Sequence, residues 1–463
     1  MRRGLVLLQI VAALASVPAV ANAQIDLHDC EIERSNRFYS FGSDSTNRMT
    51  FFGGGARFRC RDGTRIAADS VAQFQASGVI DFITNVRYTD AENRLTAGFV
   101  RYMETQQSAI AQGNVVLTDL STGSVIKAPV MNYYRATQQR PQALIQITSG
   151  RPHAVLVSIA RSDSTKRDTT TIDADQMDLY GRSRFNGRGN VDLVRGDLHG
   201  TGQNASWDKD GGNLRFWGNG RLETPDYTLT GDTVHGTTDD AEQLTELTAS
   251  PHGKLASTDV DVEAPRIRIL FADGEVSRLI AVGEKPDPDA IAEGAALSGL
   301  ASAISRDFRL VADSIDALAP GQVLERVTAV GRAWGERLGN DLANATIPAI
   351  ASRDWMKGDT VITTFVDGPP APDDTTGTPT REVERVVAIG VTARASSIYR
   401  VQDKDHPDAD PGVNYMLAQR IVVNMKDGAV ATVDAAGNVE GTYLQPGRAR
   451  ASQPGNRPEG QHR

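Results

Sequence analysis

The chain of 463 residues is poor in several things at once: two cysteines, four tryptophans, seven histidines, and aromatic residues at only 6 %. Two cysteines, Cys30 and Cys60, allow at most one bridge. In an oxidising compartment they read as a disulfide tying an N-terminal segment to the chain's first repeat, with two buried thiols as the alternative. The histidines, at 28, 153, 199, 235, 252, 406 and 462, never pair at metal-ligand spacing, so neither a metal nor a cofactor is expected. No Gly-x-Ser-x-Gly, phosphate loop or dinucleotide fingerprint occurs, and no enzyme activity is expected. Positive charge is in deficit, with 49 Lys and Arg against 58 Asp and Glu. That balance argues against a nucleic-acid partner and against attraction to anionic membrane surfaces.

Long apolar runs are also missing, with one exception at the start. Arg2 and Arg3 precede an apolar stretch over residues 5–20, and Ala21-Asn22-Ala23 supplies a small-residue cleavage site. Residues 1–23 therefore read as a cleaved signal peptide of the general secretory route, which predicts an exported protein. An uncleaved anchor is the alternative, disfavoured by the shortness of the stretch and by Pro18. Cys30 lacks a small-residue lipobox and is a poor lipidation site. Removal of 1–23 leaves 47 basic against 58 acidic residues.

What is present is a repeat. Eight times an apolar residue is followed, two positions on, by Ala or Gly and, five positions on, by Val, Met or Ile. The copies are IAADSV from Ile66, LTAGFV from Leu95, IKAPVM from Ile126, IDADQM from Ile172, LTGDTV from Leu229, LVADSI from Leu310, MKGDTV from Met356 and MLAQRI from Met416. Asp fills the fourth position at Asp69, Asp175, Asp232, Asp313 and Asp359. A local phrase recurring along most of a chain marks a stacked architecture.

Within the phrase, offset five is occupied by Val71, Val100, Met131, Met177, Val234, Ile315, Val361 and Ile421. Offset seven is often apolar as well, at Tyr102, Tyr133, Leu179 and Val423. These share one face of a strand, whereas offsets zero and two have the opposite parity. A strand whose apolar face switches midway needs a bulge or corner, where the Asp can cap backbone N–H groups. A second phrase centred on glycine alternates with the first, as in Gln112-Gly113-Asn114-Val115, Arg188-Gly189-Asn190-Val191 and Ala436-Gly437-Asn438-Val439. Glycine inside a strand marks another bend. The two phrases together describe V-shaped hairpin layers stacked around an apolar trough. In that arrangement the Asp residues are architectural rather than a carboxylate pair for glycoside hydrolysis. Trp207, Trp217, Trp334 and Trp355 read as packing rather than a sugar platform.

Elsewhere, period-two alternation closed by turns such as Asp62-Gly63 and Asp427-Gly428 predicts an all-β sandwich, barrel or jelly roll. Three blocks are expected, over 24–160, 172–285 and 305–445. Residues 163–171 are expected to separate the first two, a short helix or loop over 288–304 to join the last two, and 367–380 to form a flexible hairpin loop. Residues 446–463 read as a disordered tail. The acidic stretch 403–410 has a vague calcium-site appearance but no EF-hand spacing, and reads as a solvated loop.

The text "IAADSVAQF…RLTAGFVRYM…AIAQGNVVL…VIKAPVMNYY", then "IDADQMDLY…GRGNVDL" and "LTGDTV", resembles the OstA-like lipopolysaccharide-transport proteins, which include LptA, LptC and the N-terminal domain of LptD. The likeness is strongest over 66–135 and 172–283 and looser over 308–443. It implies an open β-jelly roll, or β-taco, whose interior holds acyl chains of lipopolysaccharide or a similar envelope lipid. It also implies partners of the same class, LptC-like and LptD-like, and end-to-end self-association. The chain departs from the small bridge protein in its length and lacks the membrane barrel of the LptD-like member. Under this reading the trough residues are Val71, Val100, Tyr102, Met131, Tyr133, Met177, Leu179, Val234, Ile315, Val361, Ile421 and Val423. The rival is a structural or adhesive β-solenoid of the envelope whose interior is filled by its own side chains.

Overall fold

The computed structural model describes residues 30–445, apart from 43–46, 161–162, 182–183, 209, 240–243, 259, 285–298, 306–307, 339–348, 371–378, 402–410 and 427–428. The expected signal peptide, the acidic loop 403–410 and the tail 446–463 lie outside the described residues. Among the described residues the regular elements are all β-strands except for two single 3-10 turns, Pro320–Gln322 and Ala349–Ala351. No helix there is long and apolar enough to cross a membrane. The fold is all-β and antiparallel, in jelly-roll-like stacked layers. The chain groups into two compact units: residues 1–258 with 263–279 and 320–322, and residues 259–262 with 280–319 and 323–463.

The first unit begins with β1 (Cys30–Arg34), β2 (Arg37–Phe41), β3 (Met49–Cys60), β4 (Arg65–Phe74), β5 (Val79–Thr89), β6 (Asn93–Met103), β7 (Ser108–Asp119) and β8 (Val125–Tyr134). It continues through β9 (Leu144–Ile147), β10 (His153–Ala160), β11 (Asp163–Asp173), β12 (Gln176–Tyr180), β13 (Arg184–Arg195), β14 (Leu198–Asp208), β15 (Asn213–Glu223), β16 (Tyr227–Thr238), β17 (Leu244–Ser250) and β18 (Gly253–Ser257). From β3 to β8 each strand pairs with the next, and every ladder skips residues at the same level. The breaks lie between Gly53 and Ala56, Ala67 and Ser70, Ile83 and Val86, Thr96 and Phe99, and Gln112 and Val115.

Each break is the corner of a V. On the glycine side two successive residues are left-handed: Gly113 and Asn114 at φ 80 and 50, Gly189 and Asn190 at φ 74 and 46, Gly218 and Asn219 at φ 70 and 62. Gly adopts this conformation freely, and Asn is among the residues with a side chain that adopt it most readily. The change of direction explains the switch in apolar parity. In β4, Ile66 and Ala68 before the corner and Val71 after it are all buried on the concave side, while Asp69 between them is exposed.

At β8 the layers divide. Its first half pairs with β10 and its second half with β9; β10 continues into β11 and β9 into β12, and β13 then receives both. Residues 163–171, expected to interrupt the pattern, are instead strand β11. Its register runs Thr169–Val157, Thr170–Leu156 and Thr171–Val155. The segment is polar, but threonine is β-branched and suits an extended backbone, so polarity misled where shape did not.

The second unit repeats the corner. Gly331 and Arg332, at φ 77 and 47, face Gly358-Asp359 across the break between Val330 and Ala333. Of the helix or loop expected over 288–304, residues 288–298 lie outside the described residues and Ala301–Ser305 is a strand paired with Phe308–Ala312. Gly294 and Gly299 already weaken a helix there. The expected loop 367–380 is shorter than its composition suggests. The strands Trp355–Pro370 and Pro379–Ile389 run on into it, with Gly368 opposite Thr380, and 371–378 lies outside the described residues.

The expected bridge forms: Cys30 and Cys60 are joined by a disulfide between β1 and β3. It fastens the first layer, β1 and β2, to the corner strand β3. That layer is the least buried in the unit, with Ile32, Phe38, Tyr39 and Phe41 all exposed.

Candidate functional site: an apolar trough between two arms

The ladders convert the repeated phrase into continuous columns of side chains. Beyond the corner, the offset-five column passes from Phe52 through Val71, Phe82, Val100 and Ala111 to Met131. It resumes at Ile147 and Met177, and continues through Gly187, Ala205, Phe216 and Val234. Beside it the offset-seven column runs Tyr102, Ala109, Tyr133, Ile145, Leu179, Phe185, Trp207 and Leu214. The opposing arm presents the column that contains the first residue of the phrase and its ladder partners: Ile66, Tyr88, Leu95, Leu117, Ile126, Ala154, Ile172 and Leu193.

Between the arms, over β4 to β9, lies an apolar cavity of ≈ 90 Å³. Four of the twelve sequence-derived trough residues line it: Val100, Tyr102, Met131 and Tyr133. Of the remainder, Val71, Met177, Leu179 and Val234 are buried in the same unit, and Ile315, Val361, Ile421 and Val423 are buried in the second; none of these lines the cavity. Sequence reasoning missed the other wall. Ile66, Phe82, Val86, Tyr88, Leu95, Leu117 and Ile145 also line the space, and Ala109 and Ala111 leave it open. For Ile66 and Leu95 the signal was present in the phrase, because its first position is as constantly apolar as its sixth.

The cavity carries little charge. Burial raises the Tyr88 phenol far above its ordinary value, and the neighbouring Asp90 carboxylate, which accepts its hydrogen bond at 2.8 Å, adds to the rise. Burial pushes Tyr133 up to about 12, with the charge of Arg135 working the other way. Asp90 itself is occupied, accepting from the backbone N–H groups of Glu92 and Asn93 as well. It therefore shapes the turn rather than presenting a free carboxylate.

The repeated Asp residues sit at the corners, as expected, but only Asp359 caps backbone N–H groups, those of Val391 and Thr392. Those bonds and the Thr392 hydroxyl hold its carboxyl down at about 2, the hydroxyl contributing most. Elsewhere the partner is a side chain across the corner: Asn85 donates to Asp69, Asn190 and Arg151 to Asp175, and Arg332 to Asp313. At Asp175 the Asn of the glycine phrase and the Asp of the first phrase are thus two halves of one clasp.

Histidines stand apart from one another: His153 bonds Asp173, His199 bonds Asp192, His252 bonds Asp232 and His235 bonds Asn213. Among the described residues no group of three or more His, Cys, Asp or Glu could hold a metal ion. Trp207 and Trp355 are buried, and Trp334 stacks on Trp355 at 5.2 Å.

Compared with known protein families and with curated proteins, the chain matches none. Among solved structures it is similar to LptH of Pseudomonas aeruginosa, described as the LptA homologous periplasmic component of the conserved lipopolysaccharide transport device. The identity is 12 %, over 25 % of this chain and 76 % of that chain, with a TM-score of 0.22. At that score the likeness carries no functional weight.

Proposed function

We propose that this is a non-enzymatic, exported lipid-holding protein of the OstA-like class, working in the periplasm to carry lipopolysaccharide or a similar envelope lipid toward the outer membrane. The observation that carries the reading is the apolar cavity between the arms, whose lining includes four of the offset-five and offset-seven residues, Val100, Tyr102, Met131 and Tyr133. An acyl chain gains about 0.8 kcal/mol for each methylene it buries, so binding needs no charge contact. That suits a protein with a net charge of −9, whose lipid headgroups would remain in water. The exposed first layer, β1 and β2, pairs only with β3 among the described strands and offers an edge to an LptC-like or LptD-like component or to a second copy.

The experiment is photocrosslinking in cells. A benzophenone-bearing residue is close in shape to Tyr102 and Tyr133 and should give lipid adducts when it replaces either. Efficient incorporation with no lipid adduct at both positions would overturn the reading. The filled-core rival is favoured over one stretch, β12 to β15, where Met177, Leu179, Phe185, Trp207 and Phe216 are all buried.

A further inference from the structure

That filled stretch has a construction of its own. In the opposing arm the column runs Leu193, Gly200, Leu222, and Gly200 is its one residue without a side chain. The Phe216 ring lies against it: a Cβ on Gly200 would sit 2.5 Å from Phe216 Cζ and 3.0 Å from each Cε. Phe216 therefore crosses the trough from one arm to the other. Phe185 lies along its own arm, over Gly187 of the same strand, with its Cζ 2.9 Å from where a Cβ would be. Trp207, paired with Phe185 in register, is buried between them. Two aromatic rings, each with its own glycine seat, are not what a repeat with a uniform trough would contain.

We infer that the trough is a blind pocket rather than a through-channel. The Phe185–Trp207–Phe216 wall sets the length of acyl chain it accepts. The lining of the cavity extends from β4 to β9 along the stack, and β12 and the Phe185 ring of β13 come directly after β9. A chain laid along the axis therefore ends on the wall.

The inference rests on the lipid-holding reading, and one titration separates the two. The full-length mature protein is titrated with saturated lysophosphatidylcholines of increasing chain length, scored by displacement of a fluorescent fatty acid. Affinity should climb with each methylene and then level off where the chain meets the wall. Phe185→Ala should move that plateau to longer chains, with about tenfold tighter binding of the longest probes, equivalent to two further buried methylenes. Phe185→Leu keeps more of the packing and should move it less in the same direction. Binding that climbs without a plateau, or a plateau that both folded variants leave in place, overturns the wall. Failure of every probe to bind the unmodified protein overturns the lipid-holding reading as well.

Discussion

The layers β5 to β9 and the layers β12 to β16 share one corner, one pair of arms and one repeated phrase, and they differ in what stands two and four residues before the corner glycine. In β7 those residues are Ala111 and Ala109; in β15 they are Phe216 and Leu214. The first pair leaves a cavity and the second fills the trough as far as Gly200 on the other arm. Backbone geometry is thus held constant by the corner while the interior is free to vary. A repeat of this kind can be receptive in one place and closed in another without any change of fold.

The sharpest way to break that comparison is to truncate the interior in both places. Phe216→Ala should cost about 3–5 kcal/mol, since a ring packed against Gly200 leaves a void that the neighbouring arms cannot fill. Val100→Ala removes two methyl groups beside space that already exists and should cost only about 1–2 kcal/mol. Urea unfolding of the two variants measures the difference. Equal costs would mean that the layers at Val100 are as tightly packed as those at Phe216.

The corner should behave less unevenly, and by smaller amounts. Gly189→Ala must place a Cβ 2.8 Å from the Asp175 Cβ and hold φ at +74, so a loss of about 2 kcal/mol is expected. Gly113 has the same left-handed backbone, at φ +80, but its Cβ would meet only Gly98, with Cα at 3.2 Å. Gly113→Ala should therefore cost less, about 1 kcal/mol, from the left-handed backbone and a milder contact with Gly98. Thermal unfolding of the two variants reads the difference. A corner that tolerated alanine equally well at both positions would show that the Asp–Asn clasp does not hold the bend.

These two levels were not equally legible in the sequence. The corner was, because a small residue and a glycine must recur wherever two backbones turn together, and spacing alone exposes them. The strand β11 was not, since Asp, Lys and Thr read as loop residues until their partners on β10 and β13 are known. Nor was the division into open and filled layers. Val100 and Val234 occupy the same offset of the phrase, and only the ladder shows that one faces Ala111 and the other Phe216. The seat of Phe216 is beyond any local pattern, because Gly200 lies 16 positions away on the other arm. Twelve residues read from one phrase therefore divided into four at the cavity and eight in packed core.

The smallest effect expected distinguishes the two regions by titration. The open layers are walled by tyrosines where the closed ones use Phe185 and Trp207, which do not ionise. Tyr133, held at about 12 by burial, favours folding only as the neutral phenol. Its contribution is complete below the ordinary tyrosine value near 10 and drains away as pH rises from there to about 12. Neither Tyr88 nor Tyr133 ionises between neutral pH and about 10, so neither should change chain uptake in that range. Between about 10 and 12 the unmodified protein should lose stability faster than Tyr133→Phe, which has no phenol to ionise; Phe185→Leu, altered in the closed layers, should lose it as fast as the parent. Urea midpoints measured across that window test this. If Tyr133→Phe tracked the parent throughout, the phenol would be as well hydrated as in the unfolded chain, and the open layers would be wet where the apolar lining requires them to be dry.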